Sequence, residues 1–149
     1  MSLEVRIQDE IKAAMLAREK VRLEALRAIK AAILLEKTSD GAETISDDAV
    51  LKIIMKLVKQ RKESAELYKS QNRADLAENE LAEASFMEVF LPRQLSEEEL
   101  ESELAKVIEQ VGAKGPQDMG KVMGVAARQL AGRADGKAIS MAVKKLLQN

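Results

Sequence analysis

The residues of this sequence that could take part in chemistry are concentrated near its C-terminal end. Two glycine–lysine pairs, Gly120-Lys121 and Gly136-Lys137, stand near the expected starts of two helices. Backbone amides at a helix start and cationic side chains both bind phosphate oxygens. Arg128 and Arg133 lie between the two pairs. The pattern indicates a phosphate-binding surface whose candidate residues are Lys121, Arg128, Arg133, Gly136 and Lys137.

Gly120-Lys121 is also the end of a segment that matches the nucleotide-binding P-loop motif at seven positions. The segment runs from Gly115 to Lys121 and matches GxxxxGK, but Val122 stands where a Ser or Thr should bind magnesium. A P-loop also needs a buried strand before it, and the residues before Gly115 carry helix signals instead. A helix start with Pro116 at its first position therefore explains the segment better.

Small residues recur along one face of the helix that follows. Gly120 and Gly124 are four residues apart, and Ala127 and Ala131 continue the row. Such a row predicts that something approaches the helix backbone closely at Gly120 and Gly124. The spacing favours tight packing against another helix of the same chain, as part of a small core without aromatic residues. The alternative is a smooth face for an RNA backbone or for a helix of a partner protein.

Composition excludes several kinds of site. The chain has 149 residues with no cysteine and no histidine, which removes thiol nucleophiles, disulfides and the commonest metal ligand. The acidic run that begins at Glu97 is explained by a capped helix start, so it does not require acid–base or metal chemistry. We therefore expect no catalytic residue, no metal and no cofactor. The lack of an apolar signal segment or spanning run predicts a cytoplasmic protein without membrane contact.

Charge is distributed unevenly along the chain. The net charge is −1 overall, but it is −8 from Asn72 to Val111 and +5 from Gly112 to Asn149. The basic C-terminal region predicts an anionic partner, whereas the acidic segment before it could dock a protein. A second basic strip, Lys59 to Lys62, is expected to be offset by Glu63 and Glu66 on its own helix.

Helix signals place these features in two groups of helices. Helix-forming residues dominate and only 2% of residues are aromatic, which predicts an all-α protein. Ser2, Ser46 and Ser96 are the expected N-caps of three helices, and Ser96 with Glu99 forms a capping box. Pro92 is expected to separate the groups. We expect an N-terminal bundle of about four helices in residues 1–91 and a C-terminal three-helix domain in residues 92–149.

Several segments, in order along the chain, resemble the YqeY-like branch of the GatB/YqeY family. They run nearly from end to end and are Lys20 to Leu23, Lys59 to Lys62, Leu91 to Leu100, Asp118 to Gly124, and Gly132 to Lys137. The resemblance implies a helical protein related to the C-terminal region with which GatB, a component of the aspartyl/glutamyl-tRNA amidotransferase, engages tRNA. The family label of carbon–nitrogen ligase with glutamine as amido-N-donor is carried by parts that this chain lacks.

The sequence thus favours an accessory protein that binds tRNA or a related RNA through its basic C-terminal domain. It does not favour an enzyme acting by itself. The alternative is a protein-interaction module that docks a tRNA synthetase or an amidotransferase component through the acidic segment and the small-residue face.

Overall fold

A computed structural model of the chain describes residues 1–148, and all regular structure within that range is helical. One 3₁₀ turn, Pro116–Asp118, precedes the sixth α-helix. The α-helices are α1 (Leu3–Ala17), α2 (Lys20–Asp40), α3 (Asp47–Ser70), α4 (Ala74–Glu88), α5 (Glu97–Val111), α6 (Met119–Gln129) and α7 (Gly136–Gln148). The prediction of an all-α protein is confirmed.

The helices form two compact units, Met1–Leu91 and a second unit that begins at Pro92. In the first unit α3 packs along α4, and α2 contacts both α1 and α4. Its core is a single apolar cluster that includes Ile29, Ile54 and Met87. In the second unit α5, α6 and α7 all contact one another.

Local capping signals begin three of the helices where the sequence predicts them. The Ser96 hydroxyl accepts a hydrogen bond from the Glu99 amide at 3.1 Å, and a Glu99 carboxylate oxygen accepts one from the Ser96 amide at 3.1 Å. This reciprocal pair satisfies two amides that the helix itself leaves unpaired. The hydroxyls of Ser2 and Ser46 cap α1 and α3, each by accepting a single bond of 3.2 Å.

Three helix boundaries differ from the expected positions. The second helix, whose apolar spacing predicts an end at about Lys37, continues through Asp40 and is closed by a left-handed C-cap at Gly41, whose φ is 67°. The fourth helix ends at Glu88 and not at Leu91, because the chain tightens into turns before Pro92, which disfavours helical conformation in the preceding residue. Pro116 begins a 3₁₀ turn instead of α6 itself.

The core of the second unit contains no aromatic side chain. It is assembled from nine small and aliphatic residues of α5, α6 with its C-cap, and α7, namely Leu100, Leu104, Val107, Val122, Ala126, Leu130, Ile139, Val143 and Leu147. The inward residues of α6 are fully buried, with Val122 and Ala126 both at 0% exposure. Because these two residues fix the inner side of α6, they also decide which residues form its outer side.

Candidate nucleic-acid interface

The small-residue row of α6 faces outward. Gly120 and Gly124 are exposed, and a Cβ placed on either would meet no other atom within 4 Å. Ala127 is exposed as well. The expectation that this row packs against another helix of the chain is therefore wrong. The physical reason is that the core takes the side of α6 that carries Val122 and Ala126, which leaves the glycines on the other side.

Two of the candidate cations lie along one edge of this outward row. Successive residues of an α-helix are separated by about 100° of rotation, so Lys121 and Arg128 share one line along α6, beside Gly120 and Gly124. Both cations are exposed. The Arg128 Nε donates a hydrogen bond to the carbonyl oxygen of Gly124 at 3.2 Å. The guanidinium therefore lies against the glycine row and not away from it.

The backbone conformation of α6 does not require a glycine at either Gly120 or Gly124. Left-handed φ values occur at Gly41, Gly112 and Gly132, but not at Gly120 or Gly124. A glycine inside a helix costs about 1 kcal/mol relative to alanine. Two such residues in an eleven-residue helix are therefore unfavourable for the isolated chain. Their open setting is understandable if another molecule approaches the helix backbone there.

One backbone amide at the start of α7 is already hydrogen-bonded to a nearby side chain. The amide of Lys137 donates to the Asp135 carboxylate at 3.3 Å, and the amide of Ile139 donates to the Asp135 carbonyl at 3.0 Å. Asp135 therefore competes with an incoming phosphate for the helix start. The Lys137 side chain and Gly136 are exposed, and a Cβ on Gly136 would meet no atom within 4 Å.

Arg133 lies in a different setting from the other candidate cations. It is partly buried and lines a cleft of about 310 Å³ together with Arg93 and the acidic start of α5. Two hydrogen bonds beside the cleft join the segment before α5 to the turn after α6. The Leu95 amide donates to the Arg133 carbonyl at 2.9 Å, and the Gln94 side chain donates to the Gly132 carbonyl at 2.6 Å. The sequence did not predict this cleft, because the contacts join residues 38 positions apart.

One wall of the cleft is a two-bond ion pair between Arg93 and Glu99. The two guanidinium nitrogens donate to the two carboxylate oxygens at 3.0 Å and 2.7 Å. These bonds lower the pKa of Glu99 from 4.5 to about 2; the Arg93 side chain has the largest effect, and the hydrogen bonds with the Ser96 amide and side chain have the next largest. The only sequence signal for the pair was the position of Arg93 six residues before Glu99.

Replacing Glu99 by glutamine is expected to flatten the acid side of the stability profile. A carboxylate whose pKa is lowered on folding contributes stability that is present above pH 4.5 and is lost as the pH falls towards 2. Glutamine retains the capping bond but does not titrate. Urea unfolding at a series of pH values should show the largest deficit of the variant at neutral pH. Glu109→Gln, at the other end of α5, is the control, and a deficit that does not change with pH would contradict the assignment.

The basic residues from Lys59 to Lys62 include two that pair with acidic residues of α4. The Lys62 ammonium is 2.9 Å from Glu88, and the Arg61 Nε is 4.0 Å from Glu83. Arg61 and Glu83 are largely buried, and the Arg61 Nε has no hydrogen-bond acceptor. Burial raises the pKa of Glu83, against the opposing effect of Arg61. Arg61 and Lys62 therefore pair with residues of α4, and not with Glu63 and Glu66 of α3 as the sequence suggested.

The described part of the chain contains neither a metal-binding cluster nor a membrane span. Within residues 1–148 no group of three or more acidic side chains is placed to hold a metal ion. No helix in that range has both the length and the apolar character needed to cross a membrane.

The fold and the site together define an all-helical protein of two units with an open face of glycine and basic residues on its second unit. The chain belongs to the Yqey-like protein family, whose profile matches residues 4–147. This finding confirms the resemblance noted in the sequence.

Three curated relatives carry the name "Altered inheritance of mitochondria protein 41, mitochondrial". The protein of Pyrenophora tritici-repentis is 29% identical over 147 residues, which cover 95% of this chain and 79% of the relative. That of Meyerozyma guilliermondii is 36% identical over 57% of this chain and 44% of the relative. That of Clavispora lusitaniae is 29% identical over 70% and 61%. The chain thus spans less than two thirds of the length of two of them.

The names of these relatives contradict the expected cytoplasmic location, because all three are mitochondrial proteins. That expectation rested on the absence of an apolar signal segment near Met1. Mitochondrial targeting segments are instead amphipathic and rich in Arg and Ser, so a test for apolar character does not detect them.

Proposed function

We propose that this protein binds tRNA or a related RNA through the outer face of α6, as an accessory factor without catalytic activity of its own. The observation that carries the proposal is the exposure of Gly120 and Gly124 beside Lys121 and Arg128. A face without side chains lets a phosphate backbone come close to the helix, and the neighbouring cations neutralise it. The net charge of +5 from residue 112 onward supports the same partner.

Other residues of the second unit lie where they could add contacts with the RNA. Lys137 and Gly136 at the start of α7 are exposed and add to the basic surface, while Arg133 belongs to the cleft beside α5. We assign the second unit as the RNA-binding three-helix domain and the four helices of the first unit as its partner domain. The names of the curated relatives support a mitochondrial setting, in which organellar tRNAs are the first RNAs to test.

A second candidate function is docking of a partner protein, such as a tRNA synthetase or an amidotransferase component. The open glycine row favours it, because glycines four residues apart allow the backbones of two helices to approach closely. The two functions differ in their response to salt. Binding to phosphates weakens steeply as ionic strength rises, whereas docking of apolar helix faces does not.

Replacing both Lys121 and Arg128 by alanine is expected to lower tRNA affinity by about tenfold or more in about 0.1 M salt. Each lost phosphate contact should also reduce the slope of log affinity against log salt concentration by about 0.7 to 0.9. Both side chains are exposed, so the fold should be retained. The measurement is fluorescence anisotropy with labelled tRNA at several salt concentrations. The pair Arg133→Ala and Lys137→Ala tests the supporting contacts.

Lys144→Ala is the matched control, because it removes one exposed cation near the C-terminal end of α7, where positive charge complements the helix dipole. It should change tRNA affinity little. If the unaltered protein binds no tRNA even at low salt, the RNA proposal is rejected and partner docking becomes the preferred function.

A further inference from the structure

We propose that the cleft between Arg93, Arg133 and the start of α5 holds one unpaired guanine base of the bound RNA; this rests on the proposed function and adds a base preference to it. The cleft measures about 310 Å³, which lies at the lower end of the range for small-ligand pockets. It is formed entirely within the second unit, and Arg133 lies four residues after the end of α6. The cleft and the outer face of α6 therefore belong to the same unit and are joined by one short turn of the chain.

The groups of the cleft that remain unpaired have opposite charges. Arg93 is committed to Glu99, and Glu103 lies 3.5 Å from Lys106. Within residues 1–148 neither the Arg133 guanidinium nor the Glu98 carboxylate has a hydrogen bond or an ion pair. One partly buried donor group and one exposed acceptor group thus line the same small space without a partner among the described residues. Ser102 adds a hydroxyl, and Leu95 adds an apolar surface.

This combination disfavours a phosphate and suits a neutral heterocycle. A phosphate at Arg133 would also face the carboxylates of Glu98 and Glu103, which repel it. Guanine carries two adjacent N–H donors on its Watson–Crick edge, which a carboxylate can accept together, and two acceptors, O6 and N7, which an arginine can bind. Leu95 offers an apolar contact for the ring. Unpaired bases of RNA are commonly bound in this way, by their edges and by contact with their faces.

The test compares three labelled single-stranded oligonucleotides that are identical uridine tracts except for one central guanosine, inosine or adenosine. Inosine lacks only the N2 amino group of guanine. The protein is expected to bind the guanosine probe about tenfold more tightly than the other two. Glu98→Gln should abolish this preference, and Arg133→Gln should weaken it. Glu97→Gln makes the same charge change one residue away, outside the cleft, and should keep the preference.

The outcomes separate the base preference from RNA binding itself. Equal binding of all three probes overturns the guanine assignment and leaves the proposed RNA function standing. Failure to bind any probe or tRNA at low salt overturns both. Guanosine added as a competitor tests the source of the base: displacement of the probe at concentrations near the probe's own Kd would show a site for a free nucleoside, and would overturn the assignment to RNA.

Discussion

Replacing both Gly120 and Gly124 by alanine is expected to raise the free energy of unfolding by about 1 to 2 kcal/mol while weakening RNA binding. The gain follows from helix propensity, at about 1 kcal/mol for Gly124 in the helix interior and less for Gly120, which is the second residue of α6. It is available because a Cβ at either position meets no atom within 4 Å. The loss of binding follows because the added methyl groups hold a ligand away from the backbone. Urea unfolding and tRNA anisotropy measure the two effects on the same protein.

Gly136→Ala is the comparison for stability alone, since that glycine also has open space around it but lies at the start of α7, within the proposed basic surface. Its effect on stability should be smaller, because the first residue of a helix is less sensitive to propensity. A double variant of α6 that is less stable than the parent would show that the face is covered by this chain. A variant that gains stability and binds RNA unchanged would exclude the glycine row from the interface.

Replacing Glu83 by leucine is expected to destabilise the protein by about 3 kcal/mol. The change leaves the charge of Arg61 buried without its ion-pair partner, since the Arg61 side chain is only 18% exposed and its Nε has no hydrogen-bond acceptor. The pair itself contributes little net stability, because the two atoms are 4.0 Å apart and both groups have lost water. Circular dichroism during urea titration gives the difference in unfolding free energy.

The double variant Arg61→Met and Glu83→Leu is expected to recover most of that loss, because it removes both buried charges and fills the space with apolar atoms. The exposed pair Arg73 and Asp75 provides the surface control, and Asp75→Leu should have a far smaller effect than Glu83→Leu. A double variant as unstable as the single one would mean that packing of the glutamate stem, not charge, dominates at this position.

Features that depend on residues close in sequence were predictable. The capping box at Ser96 and the left-handed C-cap at Gly112 involve groups within about one helical turn, so the residue types alone determine them. The same holds for the turns before Pro92, although the helix there ends earlier than expected. The sequence therefore indicated the all-α class and most helix starts.

The orientation of α6 could not be predicted from spacing. Its small residues and its apolar residues both recur with helical period, and either row could have faced the core. The row with Val122 and Ala126 is inside because it buries more apolar area against α5 and α7. The glycine row contributes almost no side-chain area, so its burial would stabilise the unit less. Only the packed arrangement of three helices decides between the two.

Contacts between distant residues were also beyond the reach of the sequence. The acidic start of α5 had the appearance of a solvated helix end, but the turn at Gly132 brings Arg133 beside it. Likewise, the pairing of Lys62 with Glu88 joins α3 to α4 across a turn. Charges along one helix predict neighbours on that helix, whereas these partners are set by tertiary packing.

The division of the chain into two units has a spectroscopic consequence. Tyr68, Phe86 and Phe90 are the only aromatic residues, there is no tryptophan, and all three belong to the first unit. Tyrosine fluorescence of the natural protein therefore reports on the first unit alone, whereas helical ellipticity reports on both. A denaturant concentration at which ellipticity falls while Tyr68 emission stays constant would mark the melting of the second unit, without any label or truncation.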